Sequence, residues 1–141
     1  MVSVDECAVV DIRRYRDERG YLSVIESGID VPFNVERVFY TYLVPEAVRG
    51  EHAHKRQSQF LFAVSGSVSV LVDDGRSRRT FVLDRPWKGL LIKPGLWAGE
   101  GNFSGGAVLM VLTDGHYDDS DYIRDYQEYL EYRRQYDTSA V

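Results

Sequence analysis

The residues best suited to chemistry gather in one segment, Arg49-Gly50-Glu51-His52-Ala53-His54-Lys55-Arg56-Gln57-Ser58-Gln59. Side chains alternate between the faces of a strand, so His52 and His54, two residues apart, share one face. Both rings point into a barrel or both point out of it. Histidine has an ordinary pKa near ~6.5, so a pair of imidazoles can take and give protons at neutral pH. A positioned group of this kind typically contributes about 100- to 10,000-fold in rate. Gln59 follows a turn expected at Lys55-Arg56 and can face the same space from the next strand. His116 has no supporting pattern and is read as structural.

Such a pair needs a rigid frame, and the chain supplies the signals for one. Short strands are expected at 8–12, 21–26, 36–44, 50–54, 58–64, 68–72, 79–83, 90–92 and 107–112. In the third of these Val38, Tyr40 and Tyr42 face one way and Arg37, Phe39 and Thr41 the other. Phe60-Leu61-Phe62-Ala63-Val64 is apolar on both faces, as for a strand covered on both sides. Asp74-Gly75 is a hairpin signal, and Ser65-Gly66-Ser67, Asp84-Arg85-Pro86 and Lys93-Pro94-Gly95 mark corners. Many short strands at this spacing predict a sandwich or barrel. At the end of the chain Tyr122, Tyr126, Tyr129, Leu130 and Arg133 recur at helical spacing, after acids at Asp118-Asp119-Ser120-Asp121 that could cap a helix. One domain is expected over 1–141, a barrel at about 8–113 and a helix at about 120–136.

The spacing His52, His54, Gln59, Gly66 fits the first motif of the cupins, His-x-His, four residues, Glu, six residues, Gly. Gln59 replaces the glutamate. Gly89, Pro94 and Asn102 fit the second motif, but Ala98 stands where its histidine would be. The expected fold is therefore all-β, a cupin: a double-stranded β-helix, or jelly-roll, barrel with a C-terminal α-helix. Two of the four usual metal ligands are missing. Two neutral imidazoles and an amide make a weak site for a divalent ion, so no metal is expected and proton transfer is the favoured chemistry.

Bulk properties exclude several alternatives. A chain of 141 residues suits one domain and buries about 70% of its unfolded surface without help from a disulfide or metal. The net charge of −5 and the lack of a basic block argue against nucleic acid. Cys7 is the sole cysteine, so no intrachain disulfide forms. The N-terminus lacks the pattern of a signal peptide, and no stretch reaches the ~18 apolar residues of a membrane span. A cytoplasmic location is the simplest expectation.

Nearly the whole chain, in order, resembles the dTDP-sugar 3,4-ketoisomerases of deoxysugar biosynthesis. The likeness rests on Asp17-Glu18-Arg19-Gly20-Tyr21-Leu22, on Glu36-Arg37-Val38-Phe39-Tyr40, and on Arg49-Gly50-x-His52-Ala53-His54-Lys55 with Gln59. It continues through Asp73-Asp74-Gly75, Gly89-Leu90 with Pro94 and Trp97, and Asp121-Tyr122-Ile123-Arg124-Asp125. The Arg-Gly-x-His-Ala-His-Lys run is the more specific part, since Asp-x-Arg-Gly also occurs in related dTDP-sugar 3,5-epimerases.

This resemblance implies an isomerase that moves the keto group of dTDP-4-keto-6-deoxyglucose from carbon 4 to carbon 3 with no cofactor. It implies that His52 and His54 are the acid/base pair and that Tyr40 lines the sugar site. It implies that Arg49 and Arg19 meet the nucleotide or its phosphates, with Gln59, Lys55 and Trp97 as further substrate positions. It also implies a homodimer, for which an edge strand at 8–12 is a natural shared element. Two positions depart from relatives: Ala98, where a histidine is common, and Glu51, where an uncharged residue is common. The rival readings are a 3,5-epimerase, a non-catalytic sugar-nucleotide-binding cupin, and a metal-dependent oxygenase, which the missing ligands disfavour.

Overall fold

The computed structural model describes residues 1–139, with side chains through Tyr136. Twelve strands and one helix follow in order: β1 Val9–Asp11, β2 Arg13–Asp17, β3 Gly20–Val24, β4 Arg37–Tyr42, β5 Arg49–His54, β6 Gln59–Ser65, β7 Val68–Asp73, β8 Arg78–Leu83, β9 Lys88–Ile92, β10 Trp97–Gly101, β11 Val108–Thr113, β12 Tyr122–Ile123 and α1 Tyr126–Ser139. Two five-stranded antiparallel sheets face each other. One has the order β1-β9-β6-β11-β4 and the other β12-β5-β10-β7-β8. This is the jelly-roll cupin barrel that the motif spacing implies.

The core forms because the inner positions of both sheets are apolar. Leu61, Ala63, Leu90, Ile92, Leu109 and Val111 from the first sheet meet Val68, Val70, Val72, Phe81, Leu83 and Ala98 from the second. Each fully buried aliphatic side chain contributes roughly 1.5–3 kcal/mol of transfer free energy. β6 is apolar on both faces because Phe60 and Phe62 point the other way. There they meet Ile12, Val31 and Leu112, with Ile25, Phe33 and Val35 of the long β3–β4 connection packed alongside. The outer face of the second sheet is closed by α1. Tyr129 is fully buried against Ala53, Trp97 and Ile123, and its hydroxyl lies 2.8 Å from the Gly95 carbonyl.

Three elements depart from the expected strands and helix. β2 pairs with β3 in a two-stranded ribbon joined by Glu18-Arg19, and that ribbon hydrogen-bonds to neither large sheet. β10 lacks an apolar alternation, carrying Gly99 and Gly101, yet pairs on both sides, with β5 and β7. Neighbours on each edge outweigh a poor local propensity. The tyrosine stripe does not begin a helix at residue 122. Tyr122 and Ile123 instead form β12 against His54 and Ala53. The true cap is Asp125, which accepts from the Glu128 N–H at 3.0 Å while its carbonyl takes the Tyr129 N–H. Asp118 caps only the short 3-10 turn Asp119–Asp121.

Candidate active site

His52 and His54 project from β5 toward the barrel interior. His52 sits opposite Ala98, and Ala98 belongs to the central core. The two rings lie 5.0 Å apart, centroid to centroid, nearly perpendicular. His54 is almost wholly buried and held at both nitrogens. Its Nδ1 lies 2.8 Å from Asp121 Oδ2, and its Nε2 lies 3.0 Å from the Gln59 amide nitrogen. A carboxylate only accepts, so Nδ1 carries the hydrogen and Nε2 receives the Gln59 N–H. Asp121 is itself fixed, since its other oxygen accepts the Arg56 N–H at 2.6 Å and its carbonyl accepts the Lys55 N–H.

His52 is bound differently. A ring N–H of His52 donates to the Gly50 carbonyl, which leaves the other ring nitrogen with its lone pair available. Burial, with the neighbouring His54 ring adding to it, pushes the His52 pKa down to about 4. Burial also lowers that of His54, although the Asp121 carboxylate works in the opposite direction. Both rings are therefore neutral at pH 7, the state a general base requires.

Tyr122 closes one side of the pair, its ring 4.9 Å from His52 and 4.4 Å from His54. Arg124 covers the Tyr122 ring, its guanidinium carbon 4.3 Å from the ring centroid. Arg37 reaches in from β4. It donates to Gln57 at 3.2 Å and lies 3.4 Å from the Tyr122 hydroxyl. Phe39 and Thr41 follow Arg37 on the inner side of β4, opposite Val111 and Leu109. Farther along β10, Glu100 sits opposite core residue Val70 and so shares the inner face with Ala98. The site lies between β4 on one side and β5, β10 and β12 on the other.

The sequence matches the family described as FdtA, WxcM-like, C-terminal, over residues 5–134. It is 38% identical over 128 residues to the TDP-4-oxo-6-deoxy-α-D-glucose-3,4-oxoisomerase of Aneurinibacillus thermoaerophilus, covering 90% of this chain and 92% of that one. The chain belongs to the FdtA/WxcM-like family. It is an isomerase, and its solved relatives include sugar 3,4-ketoisomerases. One from Campylobacter jejuni, a TDP-quinovose 3,4-ketoisomerase, is 39% identical with a TM-score of 0.85, covering 89% of this chain and 98% of that one. Another, from Thermoanaerobacterium thermosaccharolyticum in complex with TDP, is 34% identical with a TM-score of 0.91, covering 94% and 98%.

In this FdtA-like isomerase, three of the residues singled out from sequence come together: His52, His54 and Gln59. Arg49 joins them by an irregularity. Gly50 and Glu51 both have positive φ, 76° and 58°, and the register slips between Ala98 and Gly99. Glu51 is the extra residue of a bulge, so Arg49 lies opposite Glu100 on its face of the sheet.

Four residues lie elsewhere. Trp97 pairs with Ala53 on the opposite face from the histidines and packs against Tyr126 and Tyr129 of α1. It anchors the helix, because adjacent residues on a strand must point to opposite sides. Tyr40 is likewise on the outer side of β4, 57% exposed beside Val38 and Tyr42. Arg19 is in the exposed ribbon turn, paired with Asp17. Lys55 is exposed in the turn after β5, where only its backbone N–H serves Asp121.

Sequence reasoning missed Asp121, Tyr122, Arg37 and Glu100 as members of the site. Arg37 had a signal: it falls on the inner phase of β4, where a charge needs a purpose. Asp121 and Tyr122 looked like the start of a helix. Among the described residues no group of three or more His, Cys, Asp or Glu side chains is placed to hold a metal ion.

Proposed function

We propose that the enzyme moves the keto group of dTDP-4-keto-6-deoxyglucose from carbon 4 to carbon 3 by proton transfer through an enediol, without a metal. The observation that carries this reading is the asymmetric histidine pair. His54 is clamped between Asp121 and Gln59, while His52 keeps an available lone pair 5.0 Å away, ring to ring. His52 is the base that removes the proton on carbon 3, next to the carbonyl. The electron pair forms the C3–C4 double bond, and the carbon-4 oxygen becomes a hydroxyl. His54 exchanges Gln59 for a sugar hydroxyl and carries a proton between the two vicinal oxygens, its transient positive charge stabilised by Asp121. A proton added at carbon 4 completes the 3-keto sugar. Arg37 and the Tyr122 hydroxyl face the oxygen on which charge builds.

Arg49 at the rim is placed to meet the diphosphate, in keeping with the relative that binds TDP. We also propose a homodimer. Val38, Tyr40 and Tyr42 expose 52–60% of their surface in a row on the outer side of β4. The β2–β3 ribbon also leaves Tyr15, Tyr21 and Leu22 more than half exposed. In this reading Tyr40 and Arg19 act at the boundary between copies. Incubating dTDP-4-keto-6-deoxyglucose with the enzyme in D2O and following the product by NMR tests the reaction. Deuterium at carbon 4 with a carbonyl at carbon 3 is expected; exchange at carbons 3 and 5 with the carbonyl still at carbon 4 would make it an epimerase.

A further inference from the structure

Among the described residues three buried side-chain atoms lack a hydrogen-bond partner, and two of them, Glu100 Oε2 and Thr41 Oγ1, are on residues of the inner faces on either side of the site. A buried polar atom left unpaired costs about 1–3 kcal/mol, so a fold that keeps one has a use for it. Glu100 is the more informative. It stands one inward-facing position beyond Ala98, the residue opposite His52. Ala98, the inward-facing residue next to Glu100 along β10, carries only a methyl group. Gly50 is shaped to the same carboxyl: a Cβ at residue 50 would collide with Glu100 Oε2. Gly50 also receives the His52 ring N–H on its carbonyl. One glycine therefore sits against both the base and the acid.

We propose that Glu100 is a catalytic residue of the ketoisomerisation, its Oε2 hydroxyl donating the proton that carbon 4 of the enediol receives. The inference rests on the reading of His52 as the carbon-3 base. Burial pushes the Glu100 pKa up to about 7, with Arg49 only partly offsetting it, so the carboxyl is available in its acid form near neutrality. The step balances. The C3–C4 π pair forms the new C4–H bond, the O–H bond of Glu100 breaks, and Glu100 is left as a carboxylate. The proton on His52, taken from carbon 3, then passes through solvent to restore both groups.

The test separates two rates on dTDP-4-keto-6-deoxyglucose in D2O: wash-out of the carbon-3 proton, and appearance of the 3-keto product. Glu100→Gln is expected to keep wash-out within about threefold of wild type while product formation falls on the order of 100-fold. Wild-type product formation in E100Q overturns the proposal. Equal loss of both rates, in protein that still binds dTDP, also overturns it, because Glu100 would then act before the enediol. If wild type shows no wash-out, it is the histidine reading that fails. Should E100Q not fold, Glu100→Met, similar in volume with no buried polar atom, is judged by the same two rates.

Discussion

His54 and Asp121 are joined by a 2.8 Å hydrogen bond between Nδ1 and Oδ2, although 66 residues separate them in the chain. The bond exists because β12 pairs with the end of β5, setting Tyr122 opposite His54. Asp121→Asn puts an amide where a carboxylate was, so the His54 tautomer is no longer fixed and its charged form no longer neutralised. A fall in kcat on the order of 100-fold or more is expected with KM within a few-fold. Steady-state kinetics checks this, and an equal loss spread into KM would mean that Asp121 serves the fold alone.

His52→Asn should remove carbon-3 exchange as well as product, while dTDP still binds. Retention of exchange within tenfold of wild type would transfer the role of base to another group. The pH profile is a second check on the same residue. A base must be neutral, and the His52 pKa lies at about 4. The acid limb of kcat/KM should therefore fall well below the ~6.5 of an ordinary histidine, so that no activity is lost to His52 protonation between pH 7 and pH 5.5. The same depression opposes folding in acid. Below pH ~6.5 the unfolded chain takes up protons that the folded one refuses, so stability declines as pH drops toward 4.

Glu100 has the opposite sign. Its folded pKa of about 7 exceeds the ordinary 4.5, so between those values the native state holds a proton that the unfolded state has lost. The stability tied to this group is present below pH 4.5 and is lost as pH rises through 7. Glu100→Gln should thus melt above wild type at pH 8, by on the order of 1–2 kcal/mol, with the gap closing toward pH 5. Thermal denaturation at the two pH values measures it.

Tyr40→Glu with Tyr42→Glu places two charges on the exposed row of β4. Analytical ultracentrifugation should show a dimer for wild type and a monomer for the double variant. A wild-type monomer at micromolar concentration would end the dimer reading. So would an intact dimer in the variant, which would place the interface elsewhere.

Gly50→Ala should be the most damaging small substitution near the site. Residue 50 has φ of 76°, and the added methyl meets the Glu100 carboxyl. A loss of about 2 kcal/mol or more is expected from denaturant unfolding.

The sequence made the barrel legible wherever apolar alternation was regular, as in β6 and β7, and the His-x-His spacing located the functional strand. It failed where local pattern and tertiary role diverge. The family resemblance implied Trp97 and Tyr40 as site residues, yet each lies one residue out of phase with the inner face. Asp121 and Tyr122 were obscured because a two-residue strand followed by a helix has the same spacing as a longer helix. Glu100 lay in β10, whose glycines hid the strand, so its inward direction could not be read.

The bulge at Glu51 lets one strand serve two masters. His52 and Arg49 are three steps apart, and on a strand without the bulge, side chains an odd number of steps apart look in opposite directions. With it, the histidine end of the strand and the cationic end point to the same side of the sheet. Flattening the bulge without removing a residue would swing the guanidinium to the far side of the sheet, whereas deleting Glu51 would leave two steps between Arg49 and His52 and keep them on one face. In the proposed mechanism, proton handling and the hold on the nucleotide thus share one side of these six residues only through the bulge.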